Sequence, residues 1–439
     1  GYEAGAESTT GRYNILVGNF AGDAITTGSE NVAIGYAALS SEDGNGKNIA
    51  IGTNALEDLN AGADAYNVAI GHDAGRNVST GTANTIIGGN AGDALTTGAD
   101  NVVLGYNALS TEDTGNRNTA LGRGTLQNLN YDGNGYNTAV GYEAGNDVTT
   151  GVENAIVGGL AGDAMTTGSY NAVLGTSALG ANTKSNANVA IGNSALASHN
   201  LTSSTAAYNV AIGFNAGLSV STGVQNTIIG GLAGDALTTG TNNVAMGYGA
   251  LGSEDTGGQN VAIGVNALNT ANYDGNGLNV AVGYGAGAAV TTGVENVIVG
   301  GNAGDALTTG RRNVAIGHAA LSAEDEHSYC VAIGYQALLR QDAGANTYNV
   351  AVGYDAGQAV TTAVNNTLIG GSAGYALTTG SYSTGLGFNV LATETTNSHN
   401  TAIGYASMSS TELSAKNVAI GSNTLQNLTN STSTDTYNV

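Results

Sequence analysis

Proline and tryptophan are absent from all 439 residues, and cysteine occurs once. Each shortage excludes something. One thiol, Cys330, rules out an intrachain disulfide framework. Ten Lys and Arg stand against 33 Asp and Glu, and the resulting formal charge of -23 repels phosphate backbones, so no nucleic-acid partner is expected. Only 10% of residues are charged, and the helix formers Lys, Glu and Gln are scarce. No apolar run approaches the roughly 20 residues that cross a bilayer, so no membrane span is expected in this segment. With 41% hydrophobic residues the chain is also unlike a disordered tail.

What is abundant is glycine, with 70 copies, and it comes in a pattern. The motif Asn-x-apolar-apolar-Gly starts at Asn14, Asn31, Asn48, Asn67, Asn84 and Asn101 and continues to the C-terminal end, spaced by 17 residues and occasionally by 19 or 21. Cys330 and Ser383 take the Asn place once each. A longer period overlies this one: "GG...GDALTTG" units start at Asn14, Asn84, Asn154, Asn226, Asn296 and Asn366, 70 or 72 residues apart. Four coil types therefore alternate, exemplified by those starting at Asn84, Asn101, Asn118 and Asn137 and called first to fourth below.

A 17-residue unit is too short to bury a core alone, so the units must stack. Residues one and three after the Asn are apolar or Thr, and period two predicts a strand whose Val32 and Ile34 point inward. A second short strand is expected around Leu95, Val148, Leu237 and Val290, also inward. Stacking each strand on its equivalent in the next turn gives an all-β parallel β-solenoid (β-roll or β-helix) of about 24 coils, read as one repetitive domain over residues 1–439. The missing proline fits, because a repeated Pro would delete the same ladder hydrogen bond in coil after coil. Asn31, Asn48, Asn67, Asn84 and Asn101 are expected to form a side-chain ladder that registers coil on coil.

The second strand position is usually Ala, read as an outward, flat face beside Gly. In first-type coils it becomes Leu16, Ile86, Ile156, Ile228, Ile298 and Leu368. A bulky aliphatic outside every fourth coil suggests an interchain contact, most simply three chains about a threefold axis. The alternative is a wide two-layer coil that buries these residues within its own chain.

Acidic turns carry the remaining chemistry. The "DGNG" segments at Asp43, Asp132 and Asp274 have the oxygen-rich, Gly-turned look of a calcium loop, so calcium is the one cofactor considered; the alternative is that Asp and Asn make local turns and keep the surface soluble. His72, His199, His318, His327 and His399 fall on different coil phases, and no catalytic triad or metal column recurs. Paired Thr in "LTTG" raises an ice-binding reading, which adjacent rather than alternating Thr disfavours. Tyr36, Tyr106, Tyr142, Tyr248, Tyr284, Tyr335, Tyr354 and Tyr405 follow the motif Gly and are expected to stack at a corner or to meet a ligand such as a glycan.

"NVAIGYAAL", "NVVLGYNAL" and "NVAIGVNAL" resemble the head repeats of YadA-like trimeric autotransporter adhesins, and equally the β-solenoid repeats of phage tail fibres. The resemblance implies a left-handed, trimeric, extracellular fibre without catalysis, displayed on a cell surface or virion, whose partners are copies of itself and a host surface, matrix or glycan. The coils here are longer than the adhesin repeat of about fourteen residues and are grouped in fours. The sequence also opens and closes inside fourth-type coils, which suggests an excerpt of a longer fibre or a protomer of a head-to-tail filament.

Overall fold

A computed structural model describes residues 1–410, 412–427 and 429–439. The chain is an all-β parallel β-solenoid of about 24 coils, with no helix among the described residues. It divides into two compact units, Gly1–Thr222 and Gly223–Val439. In the first, three-residue strands run from Ile15–Val17 to Val210–Ile212, one per coil. In the second they run from Thr227–Ile229 to Val418–Ile420, and Glu412–Ala415 pairs in parallel with Thr429–Asp435 beside them.

Register follows the motif without slippage. Val32, Ala33 and Ile34 pair with Ile49, Ala50 and Ile51 across a 17-residue coil, and Val189 pairs with Val210 across one of 21. Extra residues therefore leave the strand untouched and enter the turns. The second segment of each coil does not become a regular strand. Leu95, Val148, Leu237 and Val290 are fully buried as expected, but each sits just before a bend whose amides converge on one acceptor: Thr96 and Thr97 both donate to the Asp113 carbonyl of the next coil.

The Asn column does register the stack, through two bonds per side chain. Each Oδ1 accepts the backbone N–H of the next Asn, at 3.0 Å for Asn31 to Asn48, 3.1 Å for Asn48 to Asn67, 2.9 Å for Asn67 to Asn84 and 3.0 Å for Asn84 to Asn101. Most Nδ2 groups donate to the carbonyl fourteen residues on, such as Asn101 to Gly115 at 2.9 Å. Both ends of a fully buried amide are thus satisfied. Cys330 keeps only part of this. Its N–H donates to Asn313 at 2.9 Å, its thiol lies 2.8 Å from Thr347 Oγ1, and burial pushes the thiol pKa up to about 12. A thiol so enclosed is poorly placed to bridge to another chain.

The in/out phase of the strand is the reverse of the sequence expectation. Ala33 is fully buried, whereas Val102 and Leu104, at the first and third strand positions, are 41% and 49% exposed. Ile86, Ile156, Ile228, Ile298 and Leu368 are likewise fully buried, and Leu16 in the outermost coil is half-buried. They are core residues of their own chain and cannot carry a direct interchain contact. The reason is volume compensation. Second- and third-type coils turn through a buried Leu such as Leu39, Leu56, Leu109 or Leu126, but fourth- and first-type coils have Gly there. The space above Gly75 is occupied by Ile86: a methyl group on Gly75 would lie 2.8 Å from Ile86 Cδ1. Gly145 with Ile156 and Gly287 with Ile298 repeat the arrangement at 2.9 Å.

Candidate interaction surface and buried carboxylates

Because the middle strand residue points inward, the two flanking columns form the outer face of the sheet. In each unit these columns are Val, Ile, Leu or Thr in nearly every coil, half-buried against one another or exposed. β-branched side chains in register on a paired sheet give a flat apolar surface. Where Ala155 interrupts the first column, a shallow open depression of about 460 Å³ lies between Tyr136, Thr138, Glu153 and Asn154.

Two columns of aromatic and cationic side chains border this face. After the motif Gly, Tyr335 stacks on Tyr354 at 5.2 Å and 8°, and His318 on Tyr335 at 5.5 Å. Before the Asn, Tyr329 stacks on Tyr348 at 5.1 Å, while Arg117 lies over Tyr136 and Lys47 over Tyr66. Where rings stack in parallel along the column, their faces meet each other, so hydroxyl edges rather than ring faces are left for a partner. Backbone geometry aims the second column: Tyr66, Arg117, Tyr136 and Tyr329 all have φ between 48° and 68°, a left-handed corner repeated at the residue before each Asn.

The calcium candidates are separate exposed turns. Asp132 accepts from Thr114 Oγ1 at 2.6 Å, Asp274 from Thr256 Oγ1 at 3.4 Å, and Asp43 offers its carbonyl to Thr26. None of the three belongs to a group of three or more His, Cys, Asp or Glu donors among the described residues.

The recurring Glu-Asp pairs of the second-type coils are visible in the sequence, but that their Glu is buried is not. Glu42, Glu112, Glu254, Glu324 and Glu394 are fully buried. Four of them cap a tight turn through Oε1, which accepts the N–H three residues on: Asn45 at 2.9 Å, Gly115 at 2.7 Å, Gly257 at 2.6 Å and His327 at 3.0 Å. Asn182 does the same without charge, accepting from Ser185 at 2.9 Å. His199 also points inward, with Nε2 2.9 Å from Ser185 Oγ, and burial lowers its pKa to about 4. The pair is sealed in the coil interior.

These buried groups set a pH dependence. Desolvation raises the carboxyl pKa of Glu42, Glu112 and Glu254, and of Asp23, Asp93, Asp163 and Asp235. A carboxyl with a raised folded pKa binds more protons folded than unfolded, so its stabilising effect is complete below the unfolded value and is lost as pH rises through the folded one. His199 acts oppositely, losing stability as pH falls from 6.5 towards about 4, but it is one group against nine, since burial raises Glu324 and Asp355 as well. The lowered carboxyls Asp64, Glu295 and Asp435 are exposed ion-pair partners and count for little. Calorimetry is therefore expected to give a higher Tm at about pH 5 than at about pH 8. A Tm that rises with pH across this range contradicts the assignment.

No family model matches the chain, and no curated protein matches it in sequence.

Proposed function

We propose that this chain is a non-catalytic structural or adhesive fibre protein of the extracellular space, similar to YadA-like adhesin heads and phage tail-fibre shafts. In this reading the solenoid winds left-handed, its coils form super-repeats of four, and three copies assemble through their outer sheet faces. The observation that carries it is the face itself, an aliphatic column at the third strand position beside a mixed Val, Ile and Thr column at the first. Monomeric proteins seldom leave a contiguous apolar sheet to water, whereas association covers it. The interchain role first given to Ile86 and its equivalents passes to residues such as Val102 and Leu104, which are exposed. The acidic surface keeps the assembly soluble and leaves the columns as the cohesive element.

Sedimentation velocity tests the assembly. A trimer of 43.1 kDa chains is expected, and the Val102→Lys/Leu104→Lys variant is expected to weaken it while keeping the far-ultraviolet circular dichroism of the parent. A parent that sediments as a monomer sinks the trimer. Immunogold electron microscopy of the native source tests location, with label on surface fibres expected and cytosolic label contradicting the proposal.

A further inference from the structure

The turn at Glu324 departs from its equivalents in two places, and both departures add a metal-ligating group. The residue three after the Glu is Asn45, Gly115 or Gly257 in comparable coils but His327 here. In the following third-type coil, the position filled by Asn60, Asn130, Asn200 and Asn272 elsewhere holds Asp342. Stacking brings these substitutions together. Glu324, Asp325, His327 and Asp342 each place one donor atom within 4.8 Å of all the others.

A second observation is independent of that clustering. Glu324 is fully buried, its Oε1 accepts from the His327 backbone and lies 2.9 Å from His327 Nδ1, and its Oε2, like that of Glu42 and Glu254, has no hydrogen-bond partner; among the described residues only Glu324 has a His and two Asp donors gathered beside it. An ionised carboxylate oxygen removed from water without a partner is unfavourable, and a cation is one way to satisfy it. Access is open, because Asp342 is exposed and Asp325 and His327 are only half-buried. The cluster is therefore sealed on the Glu324 side and reachable from solvent on the other.

We propose that Glu324, Asp325, His327 and Asp342 bind one divalent transition-metal ion of the zinc class, tying two neighbouring coils together. The donor set selects the class. Calcium takes six to eight oxygens and magnesium a near-octahedral oxygen shell, whereas one imidazole with three carboxylates suits four-coordinate zinc or cobalt. This site is distinct from the exposed Asp43, Asp132 and Asp274 turns, and it does not depend on the fibre reading.

Isothermal titration of the full chain with zinc, backed by the visible spectrum of the cobalt form, tests it. The variants Asp342→Asn and His327→Gly install residues that equivalent coils already carry, so both are expected to fold. The parent is expected to bind one zinc per chain, to show the intense visible bands of tetrahedral cobalt, and to melt higher with zinc present. Each variant removes a ligand and is expected to lose more than the roughly 10- to 100-fold that an outer-shell change costs, and Asp132→Asn to change nothing. The proposal is overturned if the parent binds no zinc, if both variants bind zinc as tightly as the parent, or if calcium binds there in preference to zinc.

Discussion

Gly158→Ala is expected to destroy the coil it sits in, while Gly159→Ala next to it is expected to be neutral or slightly stabilising. Gly158 ends its strand at φ +138°, and a methyl group there would lie 2.5 Å from the Gly175 carbonyl oxygen of the next coil. Neither the torsion nor the contact can relax, because the obstruction is backbone held in a parallel ladder. The same geometry recurs up the column: Gly105 meets Gly122 at 2.2 Å, and Gly122 meets Gly141 at 2.2 Å. Gly159 has open space around its missing side chain and no left-handed torsion. Strain plus overlap should cost the first variant about 4 kcal/mol or more, an exceptional value for one methyl group. The second should gain a few tenths to about 1 kcal/mol through the unfolded chain. Urea denaturation of both variants reads the difference. Since each coil contacts only its neighbours, hydrogen exchange should place the Gly158→Ala damage around residues 137–188 rather than across the whole unit. Equal midpoints for the two variants would refute the argument.

That glycine column was legible in the sequence, and so were the period, the strand position and the Asn ladder, because each repeats without exception or nearly so. The direction of the strand side chains was not. A three-residue strand such as Val32-Ala33-Ile34 offers one period of alternation, and placing the larger residues inside is then the only guide. That guide fails because the turn supplies the bulk: Ala33 is fully buried, and so are Ala38 and Leu39 of the turn that follows it. A signal for the true phase did exist, in the way bulk at the second strand position replaces bulk at the turn. Ile86 goes with Gly75 and Gly92, and Ala33 goes with Leu39. Exposed acids were similarly overvalued. In "TEDTG" the flanking Ser, Thr, Asp and Gly suggest a solvated turn, yet Glu112 is sealed and its neighbour Asp113 offers its backbone carbonyl to the coil before. The cluster at Glu324 could have been found only by comparing columns, since "EDEHS" and "RQDAG" lie in different coils and share no motif.

Ile86→Ala decides between the packing role and an interchain role for the bulky residue of the first-type coil. In the core role the substitution leaves a cavity beside Gly75 and Gly92, whose own lack of side chains prevents collapse, and the expected loss is about 2–5 kcal/mol. Chain association should be unaffected, because Ile86 is fully buried within its own coil stack. A double-mutant cycle with Gly75→Ala sharpens the test. On the parent background the added methyl would lie 2.8 Å from Ile86 Cδ1, with Leu56 Cδ2 at 3.2 Å and Val78 Cγ2 at 3.3 Å, so it overpacks the site by about 1–3 kcal/mol. The left-handed torsion at Gly75, φ +57°, is one that Leu56 in the preceding coil also adopts at φ +50°, and its cost is common to both backgrounds and cancels from the cycle. Once Ile86 is shortened, the nearest obstruction is gone and the new methyl group fills part of the cavity. The two substitutions should therefore be less damaging together than the sum of their separate effects, with a coupling of about 1 kcal/mol or more. Additive losses, or an Ile86→Ala chain that keeps its denaturation midpoint and instead dissociates, would return this residue to the surface role that the sequence first suggested.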